Sequence, residues 1–433
     1  MKNIAMLFPG QGAQYVGMAQ QLLASDANTR QLFADASDVL GQDMAVLCTK
    51  GSAEQLNQTQ HTQPALVLCA LAAYQHFIRE TGLTPVVLAG HSIGEISALL
   101  AAEALSLTDG LRLAKARGEA MAACSAPGDM GMTAVVKLPR AQVEQICQAQ
   151  PGFGEHFVIA NYNSDAQLVL SGTVAALAGV EQALKTAGAN CITLRVSGAF
   201  HSPFMQSAAA QLEPLLYSID FKQPKIPVIA NVNASLYQQA ADIAPSLLAQ
   251  ISAPVLWQDS IERLASGVFN TALPLTNQQI DLYIEAGPGV VLKKLTQVLL
   301  PTAQVYSLDH SDDRAPLWRQ LEVDMRNRRY QPAFVGKCMA VAVATRNQNF
   351  DEQAYQQGVL QPYQQLKALH ESLQSAQQAP DLAQMRQALQ WLAQIMTTKA
   401  APAKEQRERL HEIVRLTGTE HLLDAFASAW PQA

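Results

Sequence analysis

Cysteine is scarce and scattered. The six in 433 residues (Cys48, Cys69, Cys124, Cys147, Cys191 and Cys338) form no C-x-x-C pair. This argues against zinc and thioredoxin-type chemistry, so free, mostly buried thiols in a reducing cytosol are expected. Charge is scarce too, at 15% of residues with a net charge of −6. A general nucleic-acid binder would carry a basic excess, and none is present. Long apolar runs are missing. The longest, Ala65 to Tyr74, is far short of the ~20 residues that span a bilayer. The run Ile4 to Phe8 is too short for a signal peptide and reads as a first strand. No H-E-x-x-H or paired-histidine spacing suggests a metal. What remains is a chain that is 49% hydrophobic, ample for a large core and too apolar for disorder. A soluble, cytoplasmic protein of two or three structural units is expected.

The most informative stretch is Leu88-Ala-Gly-His-Ser-Ile-Gly-Glu95. The apolar run Val86 to Ala89 reads as a buried strand, and Ile93 to Ala102, rich in Ala, Leu and Ile, as a helix. Between them Gly90-His-Ser92-Ile-Gly94 fits G-x-S-x-G, the nucleophile elbow. Side chains at the flanking glycines would clash in so tight a turn. Ser92 would sit at a helix N-terminus, where backbone N–H groups and the macrodipole favour developing negative charge. The plainer reading is that Ser92 only caps the helix.

Residues 3–8 form a strand that runs into Pro9-Gly-Gln-Gly-Ala-Gln14. A dinucleotide fingerprint fails there because Tyr15 takes the third glycine position. A loop presenting backbone amides to an oxyanion suits it better. Residues 52–61 suggest a short helix, and Thr62-Gln-Pro64 opens a long apolar one with Pro64 in its first turn. Behind Ser106-Leu-Thr-Asp109, which fits a capping box, a helix places Arg112, Lys115 and Glu119 on one polar face. Arg117 instead lines up with Leu113, Ala114 and Met121 on the apolar stripe. A buried guanidinium must find an anion. That anion is either a protein carboxylate or a carboxylate on a substrate gripped in a bidentate fork, unless the side chain snorkels to the surface.

Residues 126–131 mark a boundary. Beyond it the pattern is strand 132–138, helix 140–150, strands 157–161 and 167–171, helix 173–187 and strand 190–196. This βαββαβ order predicts an inserted ferredoxin-like unit. Then Ser197-Gly-Ala-Phe-His-Ser-Pro203 places His201 in a tight turn after a strand, where a base for a serine elbow could stand. Alternating strands and helices to about residue 308 imply a mostly parallel sheet covered on both faces. From about 318 the composition shifts toward Gln and Arg. A strand over Cys338 to Thr345 is expected there, followed by helices. One helix carries the apolar stripe Leu382, Met385, Leu389, Leu392 and Met396, and 397–406 reads as a linker. The predicted fold is α/β: a hydrolase-like large domain (1–128 and 198–317), a ferredoxin-like small domain (129–197) and a mostly helical extension (318–433).

Taken together, Phe8-Pro-Gly-Gln-Gly-Ala-Gln14, Thr62-Gln-Pro-Ala65, Gly90-His-Ser-Ile-Gly-Glu95, Arg117-Gly-Glu-Ala-Met121, Ala199-Phe-His-Ser202, Asn231, Gln250 with Pro254-Val-Leu-Trp257, and Glu285-Ala-Gly-Pro-Gly289 resemble the malonyl-CoA:acyl carrier protein transacylase family. That family includes the free-standing acyltransferases of polyketide synthases. The resemblance covers about residues 1–310. Part of the extension, Thr345 to Asp351 through Gly358 to Pro362, looks like the tail of some stand-alone polyketide acyltransferases. The resemblance implies that Ser92 is the nucleophile and His201 its base, with the backbone carbonyl of Gln250 orienting the imidazole in place of a third triad side chain. It implies an oxyanion hole from the amides of Gln11 and Ile93, a malonyl carboxylate held by Arg117, and a site lined by Gln63, Met121 and Phe200. Phe200 is the type associated with malonyl rather than methylmalonyl selection. The implied substrates are malonyl-CoA and a phosphopantetheinylated acyl carrier protein. No metal or cofactor, no nucleic acid and no membrane is implied, and a monomer is expected. Lys293 and Lys294 are candidates for a basic surface facing the acidic carrier.

Three other readings are open at this point. An acyl hydrolase on the same scaffold would not need Arg117. A non-catalytic carrier-docking module would not need Ser92, His201 and Arg117 intact. A general α/β-hydrolase esterase would place an acidic residue between Ser and His in chain order, and would lack the inserted unit.

Overall fold

A computed structural model describes the chain except residues 1, 125–127, 195, 197, 268–278, 330–332, 377–379, 418, 420–425, 427–429 and 431–433. Ten strands occur among the described residues: β1 Ile4–Phe8, β2 Val87–Gly90, β3 Met130–Val136, β4 Phe157–Ser164, β5 Gln167–Thr173, β6 Asn190–Thr193, β7 Val228–Ala230, β8 Ser235–Leu236, β9 Leu282–Glu285 and β10 Gln304–Ser307. They form a six-stranded sheet, β10-β9-β1-β2-β7-β8, and a four-stranded sheet, β4-β5-β3-β6.

The larger sheet is parallel except for β8, which returns antiparallel to β7. Every residue of β1 is buried, as a strand covered on both faces requires. Alternate residues serve opposite faces. Ala5 and Leu7 join Val87, Ala89, Ile229 and Tyr283 in a core closed by Trp257, Ile261, Leu264, Leu292 and Leu295. On the other face Phe8 meets Tyr74 at 5.9 Å between ring centroids. Tyr74 belongs to the helix Thr59–Thr81, which starts five residues earlier than Pro64 alone suggests, so Pro64 lies inside it. Gly82 ends it in the left-handed conformation (φ 67°).

The smaller sheet is antiparallel and carries the helices Arg140–Gln148 and Val174–Thr186. Its order and its βαββαβ sequence are those of a ferredoxin-like unit. It has its own core of Val135, Leu138, Val143, Phe157, Leu168, Leu170, Leu177 and Leu184. Strand β4 is tied to the segment before the helix Trp257–Ser266, where Val255 N–H donates to Ala160 O at 2.9 Å and Tyr162 N–H to Val255 O at 3.0 Å.

The chain divides into two compact units, 1–76 with 84–317, and 77–83 with 318–433. Both sheets belong to the first. The second is helical, with a core including Phe334, Cys338, Leu366, Leu389, Leu392, Met396 and Ile413. The strand expected over Cys338 to Thr345 is instead part of the helix Ala333–Ala344. The buried positions Phe334, Val335, Cys338, Val341 and Ala342 follow helical spacing that becomes visible once the window opens before residue 338. The expected linker 397–406 shrinks to residues 399–402, between the helices Leu382–Thr398 and Ala403–Thr417. There Lys399 Nζ donates to Ala342 O (2.7 Å) and Thr345 O (2.9 Å), satisfying carbonyls at the end of the helix Ala333–Ala344. Of the expected stripe, Leu382 stays exposed and the other four side chains are buried.

Candidate active site

Strand β2 ends at Gly90 and the next helix begins at Gly94. The turn between them is sharp because both glycines are pressed against backbone. A Cβ on Gly90 would lie 2.0 Å from Gly94 C and O, and one on Gly94 would lie 2.1 Å from Phe8 O. Ser92, at the apex, has φ 52°, a conformation that costs a non-glycine residue about 1–3 kcal/mol and persists only when its surroundings enforce it. Asn231, just after the neighbouring strand β7, does the enforcing. Its Oδ1 accepts from Ser92 N–H at 2.7 Å and its Nδ2 donates to Gly90 O at 2.6 Å.

His201 also sits at positive φ (57°), in a turn closed by Ser202 Oγ–H donating to Ala199 O. Its Nδ1 lies 2.8 Å from Gln250 O. A carbonyl only accepts, so Nδ1 carries the hydrogen and Nε2 the lone pair. Nε2 lies 2.7 Å from Ser92 Oγ, whose hydroxyl therefore donates to it. Complete burial, reinforced by the charge of Arg117, pushes the His201 imidazole down to about 3. It is neutral at physiological pH, which is the state a base must start from.

Arg117 is buried on the helix Leu107–Ala123. Its Nη2 donates to Ser92 Oγ (3.1 Å) and Gln250 Oε1 (2.8 Å), and its Nη1 to Gln63 Oε1 (2.9 Å). Burial lowers the guanidinium to about 10, still charged at neutral pH. Arg112, Lys115 and Glu119 of the same helix face solvent, as their spacing predicts. Gln63 Nε2 lies 3.5 Å from Met121 Sδ, which brings Met121 behind the guanidinium's partner. Phe200 is buried beside His201.

Gln11 and Ile93 leave adjacent parallel strands at the same level, since Phe8 pairs with Gly90. Both segments therefore run side by side past the elbow. A Cβ on Gly10 would stand 2.6 Å from His91 O, and His91 N–H donates to Phe8 O at 3.0 Å. The loop after β9 supports Pro9, because a Cβ on Gly287 would lie 2.7 Å from the proline ring. Glu285 anchors that loop by accepting from Leu292 and Lys293 N–H groups at 3.0 and 2.8 Å. Lys293, a candidate for a basic surface, is committed to Asp313 at 2.6 Å, while Lys294 is exposed.

Sequence reasoning assigned no role to Glu95, although it is the single charged residue in the stretch Ile93 to Ala102. It is fully buried. Its Oε2 accepts from Asn231 N–H (3.0 Å) and Gln250 Nε2 (2.7 Å), and its Oε1 from the Tyr237 hydroxyl. Burial raises this carboxyl to about 7. A lone acid on an otherwise apolar helix was the available signal, but its partners lie 136 and more residues away.

The model of the acyl transferase domain matches residues 5–273. The chain belongs to this acyltransferase family. A malonyl CoA-acyl carrier protein transacylase of Bacillus subtilis strain 168 is 36% identical to this acyltransferase over 298 residues, covering 69% of this chain and 90% of that protein. A second Bacillus subtilis protein of the same description is 30% identical over 407 residues, 94% of this chain and 99% of its own, so its match continues into the helical extension. Among solved structures, a malonyl-transacylase in complex with its type II PKS acyl-carrier protein superposes with a TM-score of 0.67 at 33% identity, covering 73% of this chain and 99% of that one.

Proposed function

We propose that this acyltransferase carries a malonyl group from malonyl-CoA to the phosphopantetheine thiol of an acyl carrier protein, in polyketide or fatty acid biosynthesis, through an ester on Ser92. One observation carries the reading: Ser92 Oγ is hydrogen-bonded both to His201 Nε2 and to Arg117 Nη2, at 2.7 and 3.1 Å. Base and anion grip converge on one nucleophilic oxygen. Attack on the thioester carbonyl forms the Oγ–C bond as the hydroxyl proton passes to Nε2. The amides of Gln11 and Ile93 hold the oxyanion. The C–S bond then breaks, the imidazolium returns its proton to the leaving CoA sulfur, and malonyl remains on Ser92. The carrier thiol repeats these steps in reverse. Meanwhile the malonyl carboxylate takes the guanidinium in place of the Gln63 amide oxygen and the Ser92 hydroxyl, while Gln250 Oε1 keeps its hold on Nη2. A bidentate pairing with an ionised partner is stronger than two neutral ones.

The reading needs neither metal nor organic cofactor, and it takes the protein as a monomer in the cytoplasm. Phe200, buried and next to His201 in the chain, favours an unbranched malonyl group over methylmalonyl. The 407-residue match through the extension supports the stand-alone type. A hydrolase would have no use for a buried, charged Arg117 beside the nucleophile.

Incubation with malonyl-CoA, read by intact mass, should give a single malonyl adduct on the wild type and none on Ser92→Ala. Arg117→Ala should lose malonyl loading while keeping acetyl loading from acetyl-CoA. An adduct on Ser92→Ala, or an unchanged malonyl preference in Arg117→Ala, overturns the reading. Release of free malonate faster than transfer to a carrier thiol would identify the hydrolase instead.

A further inference from the structure

A buried cation needs a counter-charge, and among the described residues Arg117 touches none: its partners are two amide oxygens and a hydroxyl. The buried carboxylate of this network is Glu95, and it stands one residue away. Gln250 lies between them, its Oε1 on Arg117 at 2.8 Å and its Nε2 on Glu95 Oε2 at 2.7 Å. The same Nε2 also donates to Ser92 O at 3.1 Å, and the backbone carbonyl of the same residue holds His201 Nδ1 at 2.8 Å. A direct Arg117–Glu95 pair would occupy the fork that the substrate carboxylate must enter. A relayed one leaves the fork on neutral, exchangeable oxygens.

We propose that Glu95 is a positioning residue for acyl-group selection: its carboxylate fixes the Gln250 side chain so that the amide oxygen holds Arg117 at Ser92. This rests on the reading that Arg117 receives the malonyl carboxylate. The hold does not depend on the charge of Glu95. Both N–H donors, Asn231 N and Gln250 Nε2, use Oε2. A proton goes to Oε1, where the Tyr237 hydroxyl turns from donor to acceptor. The carboxyl, raised by burial to about 7, is partly protonated near neutrality and keeps Gln250 in place in either form.

Two conservative variants separate reach from charge. Glu95→Gln keeps the side-chain length, leaving an oxygen for Asn231 and Gln250 and an NH2 for Tyr237. Glu95→Asp keeps the charge but is one methylene short of Gln250. The readout is the ratio of malonyl to acetyl loading rates on Ser92, from single-turnover intact mass, with melting temperature recorded alongside. The proposal expects Glu95→Asp to lower the ratio about tenfold or more, the scale of one lost charge-assisted hydrogen bond, and Glu95→Gln to hold it within about twofold of wild type. A purely structural Glu95 would shift the melting temperature of both and the ratio of neither, which overturns the proposal. So does a ratio that falls in Glu95→Gln and survives in Glu95→Asp. Arg117→Ala is the control. If it loses malonyl preference while Glu95→Asp does not, only the relay fails. If it keeps malonyl preference, the functional reading fails first.

Discussion

At the scale of single residues, the site places two opposed charges in the dark and separates them by an amide. Desolvation dominates both shifts, pulling Arg117 down to about 10 and pushing Glu95 up to about 7. The Glu95 shift has a consequence for stability. Its proton is held more tightly in the fold than in the unfolded chain, whose value is 4.5. The associated stabilisation is therefore complete below about pH 4.5 and is lost as pH rises through about 7. Glutamine does not titrate. The stability of Glu95→Gln minus that of wild type should thus grow between pH 5 and pH 8, by at most about 3 kcal/mol. Thermal denaturation at the two pH values measures it, and a difference independent of pH would contradict a raised Glu95. His201 adds the reverse trend to both proteins, because a depressed imidazole costs stability as pH falls below 6.5 toward about 3. It cancels in the comparison.

At the scale of elements, the elbow works because strand and helix meet with no room for a side chain. Gly94→Ala puts a methyl 2.1 Å from Phe8 O and 2.9 Å from Pro9 O, against backbone that is itself held in β1 and the loop after it. It should cost at least about 3 kcal/mol, beyond ordinary overpacking, and abolish acyl-enzyme formation. Gly179, in the helix Val174–Thr186, has open space around its Cα. Gly179→Ala should gain up to about 1 kcal/mol. Urea denaturation of the pair checks both signs, and equal effects would refute the steric account. The elements that a reader of the sequence can place are those fixed by local chemistry: the apolar strands, the G-x-S-x-G turn, and His201 in a proline-braced loop. Arg117 was legible as a misfit on an apolar stripe, and only its partners were not. Asn231, Tyr237 and Glu95 acquire their roles from the pairing of β2 with β7, and pairing is not written in any local window. The segment Cys338 to Thr345, most of which lies in the helix Ala333–Ala344, reads as a strand for a related reason. Its run Cys-Met-Ala-Val-Ala-Val-Ala-Thr has a twofold as well as a helical pattern, and burial against distant Leu389 and Leu392 selects the helix.

At the scale of the whole molecule, the boundary at Leu317 falls inside a helix, Ser311–Arg329, and the helix Thr59–Thr81 likewise has its last turn in the second unit. Phe77, in that last turn, is fully buried and lies 6.3 Å from the ring of Trp318. Every side chain of the candidate site belongs to the first unit, and the Bacillus subtilis strain 168 relative matches this chain over 298 residues, 90% of its own length. A chain ending at Leu317 should therefore still form the malonyl adduct on Ser92. It should also lose stability, because Phe77 loses its ring contact with Trp318, both residues of the second unit. Exposing a buried phenylalanine costs about 1.5–3 kcal/mol, roughly 2–4 °C in melting temperature for a domain of this size or somewhat larger. Substituting Phe77 by Ser in the shortened chain should recover solubility without restoring the lost degrees. If the shortened chain folds, by near-ultraviolet circular dichroism, and fails to load malonyl, then the extension contributes to the chemistry and the assignment of the whole site to residues 1–317 is wrong.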